Sequence, residues 1–162
     1  KPGVGGIIEK NVSGIDYILI QERHKDDAKT EQGLIEIPAG KIREFENIFD
    51  CWRREIWEET GLIVEEIEGE SSSVMFESNG YSVLSYTPFS SSQNLQGTYP
   101  IMVQTFICRT SGKEAIQTNE TKNIRWITLV ELKQMMDKDE NDFYPMHVIT
   151  LKKYLMMKLG EK

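Results

Sequence analysis

The sequence predicts one mixed α/β or α+β layered domain. Three observations carry this. β-rich runs precede, separate and follow the helical patterns; the 162 residues fit one domain of the usual ~100–200; and no internal repeat or hinge-like linker divides the chain.

Residues 4–8 and 16–22 are β-rich runs around a turn containing Asn11, Ser13 and Gly14, which predicts a hairpin. Residues 34–38 read as a short strand ending at Pro38-Ala39-Gly40. Residues 47–60 read as a helix, because Ile48, Phe49, Trp52 and Ile56 recur at helical spacing and Gly61 stands where a C′ glycine belongs. Residues 62–67, 73–77, 81–86, 101–109 and 124–127 are strand candidates. Between the last pairs, residues 88–100 are rich in Ser, Gln, Asn and Gly and read as a loop, a candidate lid or specificity element. Thr128 and Glu131 form a capping-box pattern that opens a helix to residue 137, and a final helix covers 144–159.

Nineteen basic against 26 acidic residues leave a net charge of −7, which argues against a protein built to grip a nucleic-acid backbone. A phosphate-bearing ligand would need cations or a local basic patch, since the global field repels it. Cys51 and Cys108 are too few for a disulfide scaffold or a paired-cysteine zinc site, and they read as small buried hydrophobes. No apolar run approaches the ~18 residues of a membrane span and no signal-peptide pattern opens the sequence, so a cytoplasmic location is the expectation. Gly3-Val4-Gly5-Gly6 begins like a dinucleotide fingerprint but continues into a strand, which excludes that reading. His24 and His147 have no ligand spacing with each other or with the cysteines.

The chemistry concentrates in residues 40–62. On a helix, Glu55 and Glu59 lie about 40° apart, with Glu58 beside both. Carboxylates four apart repel by ~0.2–0.5 kcal/mol. Glu58 and Glu59 also meet the negative end of the helix macrodipole, at ~0.3–1 kcal/mol each. Glu55 and Glu59 fall within about 20° of Ile48, so they border the apolar face, where carboxylates need partners. A divalent cation such as Mg²⁺, which takes oxygen ligands and leaves positions for phosphates, would relieve all three tensions. A solvated acidic helix end is the plain alternative, and the spacing alone leaves both open.

The same segment resembles the Nudix box, G-x5-E-x7-REU-x-EE-x-GU with U a bulky aliphatic residue. Gly40, Glu46, Arg54, Glu55, Ile56, Glu58, Glu59, Gly61 and Leu62 match every specified position without insertion. Weaker resemblance extends from the first hairpin to the strand at Trp126, so residues 1–162 read as one Nudix domain. The resemblance implies an α/β/α sandwich around a mixed sheet, with the box as a loop–helix–loop. It also implies Mg²⁺ or Mn²⁺ held on the diphosphate of a nucleoside diphosphate linked to another moiety. Glu55, Glu58 and Glu59 would be the metal carboxylates and catalytic groups, with the Ala39 carbonyl as a backbone ligand. Glu46 and Arg54 would form an orienting ion pair. Glu120, in the loop ahead of Trp126, resembles a further family acid that serves as metal ligand or general base.

The implied reaction is hydrolysis of a pyrophosphate bond. Glu36-Ile37-Pro38-Ala39-Gly40 looks more like the box entry of ADP-ribose and nucleotide-sugar hydrolases than like the Pro-Gly-Gly of mutator-type triphosphatases. Against this, the next proline after the box is Pro88, later than ADP-ribose hydrolases usually carry it. Arg23, Lys41 and Arg43 are candidate phosphate contacts, and Phe76, Tyr81 and Tyr99 candidate base-stacking rings. Competing readings are a triphosphate pyrophosphohydrolase of the mutator type, a non-catalytic nucleotide-sugar-binding module, and a prenyl-diphosphate isomerase; for the last, Cys51 is unsuited by its place inside the box helix. A small-molecule nucleotide derivative is the expected partner, and the resemblance admits a homodimer.

Overall fold

The structure is a computed structural model and describes residues 1–24, 31–97, 99–115 and 121–160. Its elements run β1 (Pro2–Val12), β2 (Ile15–Arg23), β3 (Ile35–Glu36), β4 (Ala39–Lys41), α1 (Ile48–Thr60), β5 (Ile63–Ile67), β6 (Val74–Ser78), β7 (Tyr81–Ser85), β8 (Ser90–Gln93), β9 (Met102–Ser111), β10 (Thr121–Thr128), α2 (Leu129–Lys138) and α3 (Pro145–Leu159). Sequence and structure therefore agree on a mixed α+β fold with a central mixed sheet.

β1 and β2 form the expected hairpin. Ser13 and Gly14 both take positive φ, 54° and 83°, as a two-residue turn matched to strand twist requires. Beyond the Glu9–Ile18 pair the two strands part. β3 enters the gap on the β2 side, opposite Gln21 and Glu22, while β4 pairs with Gly3, Val4 and Gly5 of β1. β9 lies parallel to β1, and the main path of the sheet runs β10-β2-β1-β9-β5.

The period-two alternation of strand side chains divides the core in two. Val4, Ile8, Leu19, Phe106, Cys108 and Ile124 face α1, packing with Trp52, Ile56 and Leu62. Ile7, Ile18, Ile20, Ile107 and Ile127 face the other way, against Leu132, Met136, Leu151 and Tyr154 of α2 and α3. The sheet is thus the middle of three layers. Gly6 is required by this packing: a Cβ there would stand 2.0 Å from Trp52 Cζ2.

α1 starts at Asn47, whose Oδ1 accepts from the backbone N–H groups of Phe49 and Asp50, and stops at Gly61, with φ 75° and its N–H bonded to the Trp57 carbonyl. α2 opens with the reciprocal Thr128–Glu131 capping box. Two expectations are corrected. The strand expected over 34–38 is two short strands separated at Ile37-Pro38, since proline has no N–H for a ladder. The loop expected over 88–100 contains β8, which pairs antiparallel with β9; its Ser-Ser-Ser-Gln sequence carries no strand signal, and the pairing comes from the neighbour. β6 and β7 form a separate hairpin closed by Asn79 and Gly80, both at positive φ.

Candidate active site

The site is built where β1 and β2 part. The Gly6 N–H donates to the Pro38 carbonyl over 3.1 Å, and β4 continues that ladder, so the backbone at Ala39 and Gly40 is fixed from the β1 side. The second half of α1 lies against it.

Glu59 is 3% exposed, and its Oε2 accepts a 3.1 Å hydrogen bond from the Ala39 N–H. Glu55, 14% exposed, presses its side chain against Gly40. Both acids border the apolar face of α1, as their angular positions require. Glu58 stands outside them, half exposed.

Arg54 ties these acids together. Its Nε and Nη2 donate to the two oxygens of Glu46, each over 2.9 Å, a bidentate pair. Its Nη1 donates to Glu55 Oε1 over 2.8 Å and reaches Glu58 Oε2 at 3.4 Å. Hydrogen bonding from Arg54 holds the Glu46 carboxyl down at about 2, aided by the Arg43 N–H. The same acids push the Arg54 guanidinium upward. Burial first, then the Glu46 charge, raises the Cys51 thiol to about 12, and burial raises Cys108 likewise. Both cysteines are free and buried, and neither is a nucleophile at neutral pH.

The end of α1 is also bonded to Ala115, past β9, and to Thr121 at the start of β10. The Ala115 N–H donates to the Thr60 carbonyl over 2.7 Å, the Trp126 Nε1 to Glu114 Oε2 over 3.2 Å, and the Thr121 hydroxyl to the Glu59 carbonyl over 3.5 Å. Glu120 lies outside the described residues.

Of the candidate phosphate contacts, Lys41 and Arg43 are exposed within the first residues of the box. Arg23 is buried on β2, where it pairs with Glu36 at 3.2 Å and Glu31 at 3.1 Å and covers the Tyr144 ring. Glu36 also accepts from the Gln21 amide, a buried network that no spacing in the sequence announces. Phe76 and Tyr81 stand on the β6–β7 hairpin. Trp126 is partly buried against the α1 core, with the Lys10 ammonium 4.0 Å from its ring centre.

Among the described residues, no group of three or more His, Cys, Asp or Glu is gathered closely enough to hold a metal ion. The donor set still fits a hard divalent cation in kind: carboxylates and a backbone carbonyl, all oxygen, with Gly40 leaving the space that the Glu55 side chain takes. Among those residues, too, no helix is long and apolar enough to cross a membrane.

The family model described as NUDIX domain matches residues 1–147. No curated protein matches the chain. Among solved structures, it resembles the MutT protein from Methanosarcina mazei Go1 at 18% identity, covering 99% of this chain and 95% of that one, with a TM-score of 0.60. A Caenorhabditis elegans Ap4A hydrolase in a binary complex matches at 14% identity over 99% and 98%, with a TM-score of 0.56. The NUDIX domain of Shewanella oneidensis NrtR, complexed with ADP ribose, matches at 15% identity over 82% and 75%, with a TM-score of 0.58. At these identities the likeness is one of fold.

Proposed function

The chain belongs to the NUDIX family, a family of pyrophosphohydrolases, and on that premise we propose that it cleaves the diphosphate of a nucleotide sugar or ADP-ribose with Mg²⁺ or Mn²⁺ bound at its box glutamates. The observation that carries this reading is the pair of carboxylates, Glu55 and Glu59, held on the Ala39–Gly40 backbone.

Glu55, Glu58, Glu59 and the Ala39 carbonyl would hold the metal, with Glu120 as a further acid. The bound ion would neutralise charge on the pyrophosphate oxygens. The protein's own part is positional and electrostatic. The Ala39 N–H fixes Glu59, Gly40 and Arg54 fix Glu55, and Glu46 fixes Arg54. A box glutamate or Glu120 would accept a proton as water attacks phosphorus. The new P–O bond forms as the bridging P–O bond breaks, and the leaving phosphate oxygen carries off the charge. The products are a nucleoside monophosphate and a second phosphate compound. Lys41 and Arg43 are the cations available to the substrate phosphates.

A hydrolysis screen with and without Mg²⁺ or Mn²⁺ over ADP-ribose, other nucleotide sugars, dinucleoside polyphosphates and nucleoside triphosphates, with products resolved by mass, tests this reading. Metal-dependent turnover greatest on ADP-ribose or a nucleotide sugar is expected, and heavy-oxygen water identifies the phosphorus attacked. Greatest turnover on triphosphates would move the chain to the mutator type. Tight binding with no turnover on any substrate would make it a binding module.

A further inference from the structure

His147 lies on α3, across the sheet from α1, and is 1% exposed. Its Nδ1 accepts the Ile37 N–H over 3.2 Å, between residues 110 positions apart in sequence. A ring nitrogen that accepts carries no proton, so the imidazole is neutral with its hydrogen on Nε2. The ring is itself braced. Tyr144 meets it edge-on with centroids 5.3 Å apart, and the Arg23 guanidinium covers the Tyr144 ring at 4.3 Å. The Tyr144 N–H donates to the Ile35 carbonyl over 2.8 Å. The start of α3 thus holds the exit of β3 at two points, Ile35 and Ile37.

Pro38 has no N–H, so residues 37–39 carry two amide donors, those of Ile37 and Ala39. The first goes to His147 of α3 and the second to Glu59 of α1. The link from β3 to β4 is therefore strung between side chains of the two outer layers, with a single proline between the anchors. Ile37 is fully buried and its side chain packs on the α2–α3 side of the sheet. Buried backbone N–H groups are almost always paired, and at Ile37 the acceptor is the His147 ring. A leucine would fill the same space among these apolar neighbours; what it lacks is the acceptor.

We propose that His147 is a positioning residue for Glu59. By fixing the Ile37 N–H it sets, through the restricted φ of Pro38, where the Ala39 N–H meets the Glu59 carboxylate. The proposal rests on the reading of Glu59 as a working carboxylate of the site. It adds that the place of this carboxylate is decided from the far side of the sheet, by a neutral histidine acting through two residues of backbone.

Nitrogen NMR of the His147 ring and two variants of the full chain test this. In the wild type Nδ1 resonates as the unprotonated nitrogen and Nε2 as the protonated one; a proton on Nδ1 would overturn the proposal. His147→Leu keeps the bulk and removes the acceptor. Its Ala39 amide exchanges with solvent at least ~10-fold faster than in the wild type. Its kcat falls by about 10- to 100-fold with little change in KM, as when a reacting group is displaced by up to an ångström. His147→Asn places Oδ1 as many bonds from Cα as Nδ1, and it restores both the Ala39 amide and kcat. Should the leucine variant fold poorly, His147→Met replaces it as a more adaptable apolar filler. A histidine that only fills the core gives a different result: lower Tm in every variant, with Ala39 exchange and kcat of the folded protein unchanged. That result would overturn the proposal, as would losses in His147→Leu that His147→Asn does not repair. Absence of metal-dependent turnover in the wild type would remove the reading of the site instead, and the Ala39 amide, recorded without metal or substrate, would then decide the link from His147 to Glu59 alone.

Discussion

The side chain of Glu55 rests on the α-carbon of Gly40: a Cβ at that position would stand 2.2 Å from both Cγ and Cδ of Glu55 and 2.4 Å from its Oε2. The glycine that opens the box is there for the glutamate fifteen residues later, and its own backbone is not in the left-handed region. Contact between β4 and α1, rather than turn geometry, explains it.

Gly40→Ala therefore displaces Glu55 while leaving the core intact. Misplacing a reacting group by an ångström costs about 100-fold. The expected result is a loss of turnover of that order with little change in Tm, measured by steady-state kinetics beside thermal melts. Normal turnover would show that Glu55 does not need this position.

Glu59→Gln keeps an acceptor for the Ala39 N–H and removes the charge. Turnover falls at least about 100-fold, the range associated with losing a positioned acid–base or charged group. Metal titration by calorimetry, with circular dichroism for the fold, separates a lost charge from a lost structure.

Gly6→Ala acts on stability alone. Its methyl group would meet Trp52 in the closed core, 2.0 Å from Cζ2. Overpacking of this kind costs about 1–3 kcal/mol, a Tm loss of several degrees for a chain this size. Gly14, with nothing within 4 Å, lacks that clash. Gly14→Ala carries only the strain of its positive φ, a smaller loss.

Acid should weaken the Glu46–Arg54 pair late. The folded pKa of Glu46, about 2, lies below its ordinary 4.5. Its contribution to stability is then complete above the unfolded value and disappears as pH falls from 4.5 towards 2. Glu46→Gln should lower Tm by ~2–4 °C at pH 7, about 1 kcal/mol for a partly exposed pair. That difference from the wild type should narrow as pH is lowered through this window, which melts at successive pH values will read.

Much of this was visible in the sequence because it depends on local pattern. The apolar stripe of Ile48, Phe49, Trp52 and Ile56 placed α1, and the same wheel put Glu55 and Glu59 at the edge of the buried face. β8 was invisible, since serines and a glutamine form a strand only when β9 offers its edge. The break at Ile37-Pro38 was likewise hidden within a run that reads as extended. At the site, the three-way reach of Arg54 depends on rotamers and on the Arg43–Glu46 turn, which spacing does not encode. In the sequence only its charge marks Arg23; its engagement with Glu36, Glu31 and Tyr144 follows from the meeting of β2 with β3 and with the start of α3.

The parting of β1 and β2 has a consequence for motion. Catalytic machinery commonly sits on the segments of a protein that open most readily. Here the backbone beneath the glutamates is sewn into the ladder beside β1, which β9 borders on its other side. Deuterium uptake at Gly40, which faces Val4 at a hydrogen-bonded position of that ladder, should wait for the whole molecule to unfold, so substrate entry and product exit must rely on side chains and outer loops moving over an unyielding base.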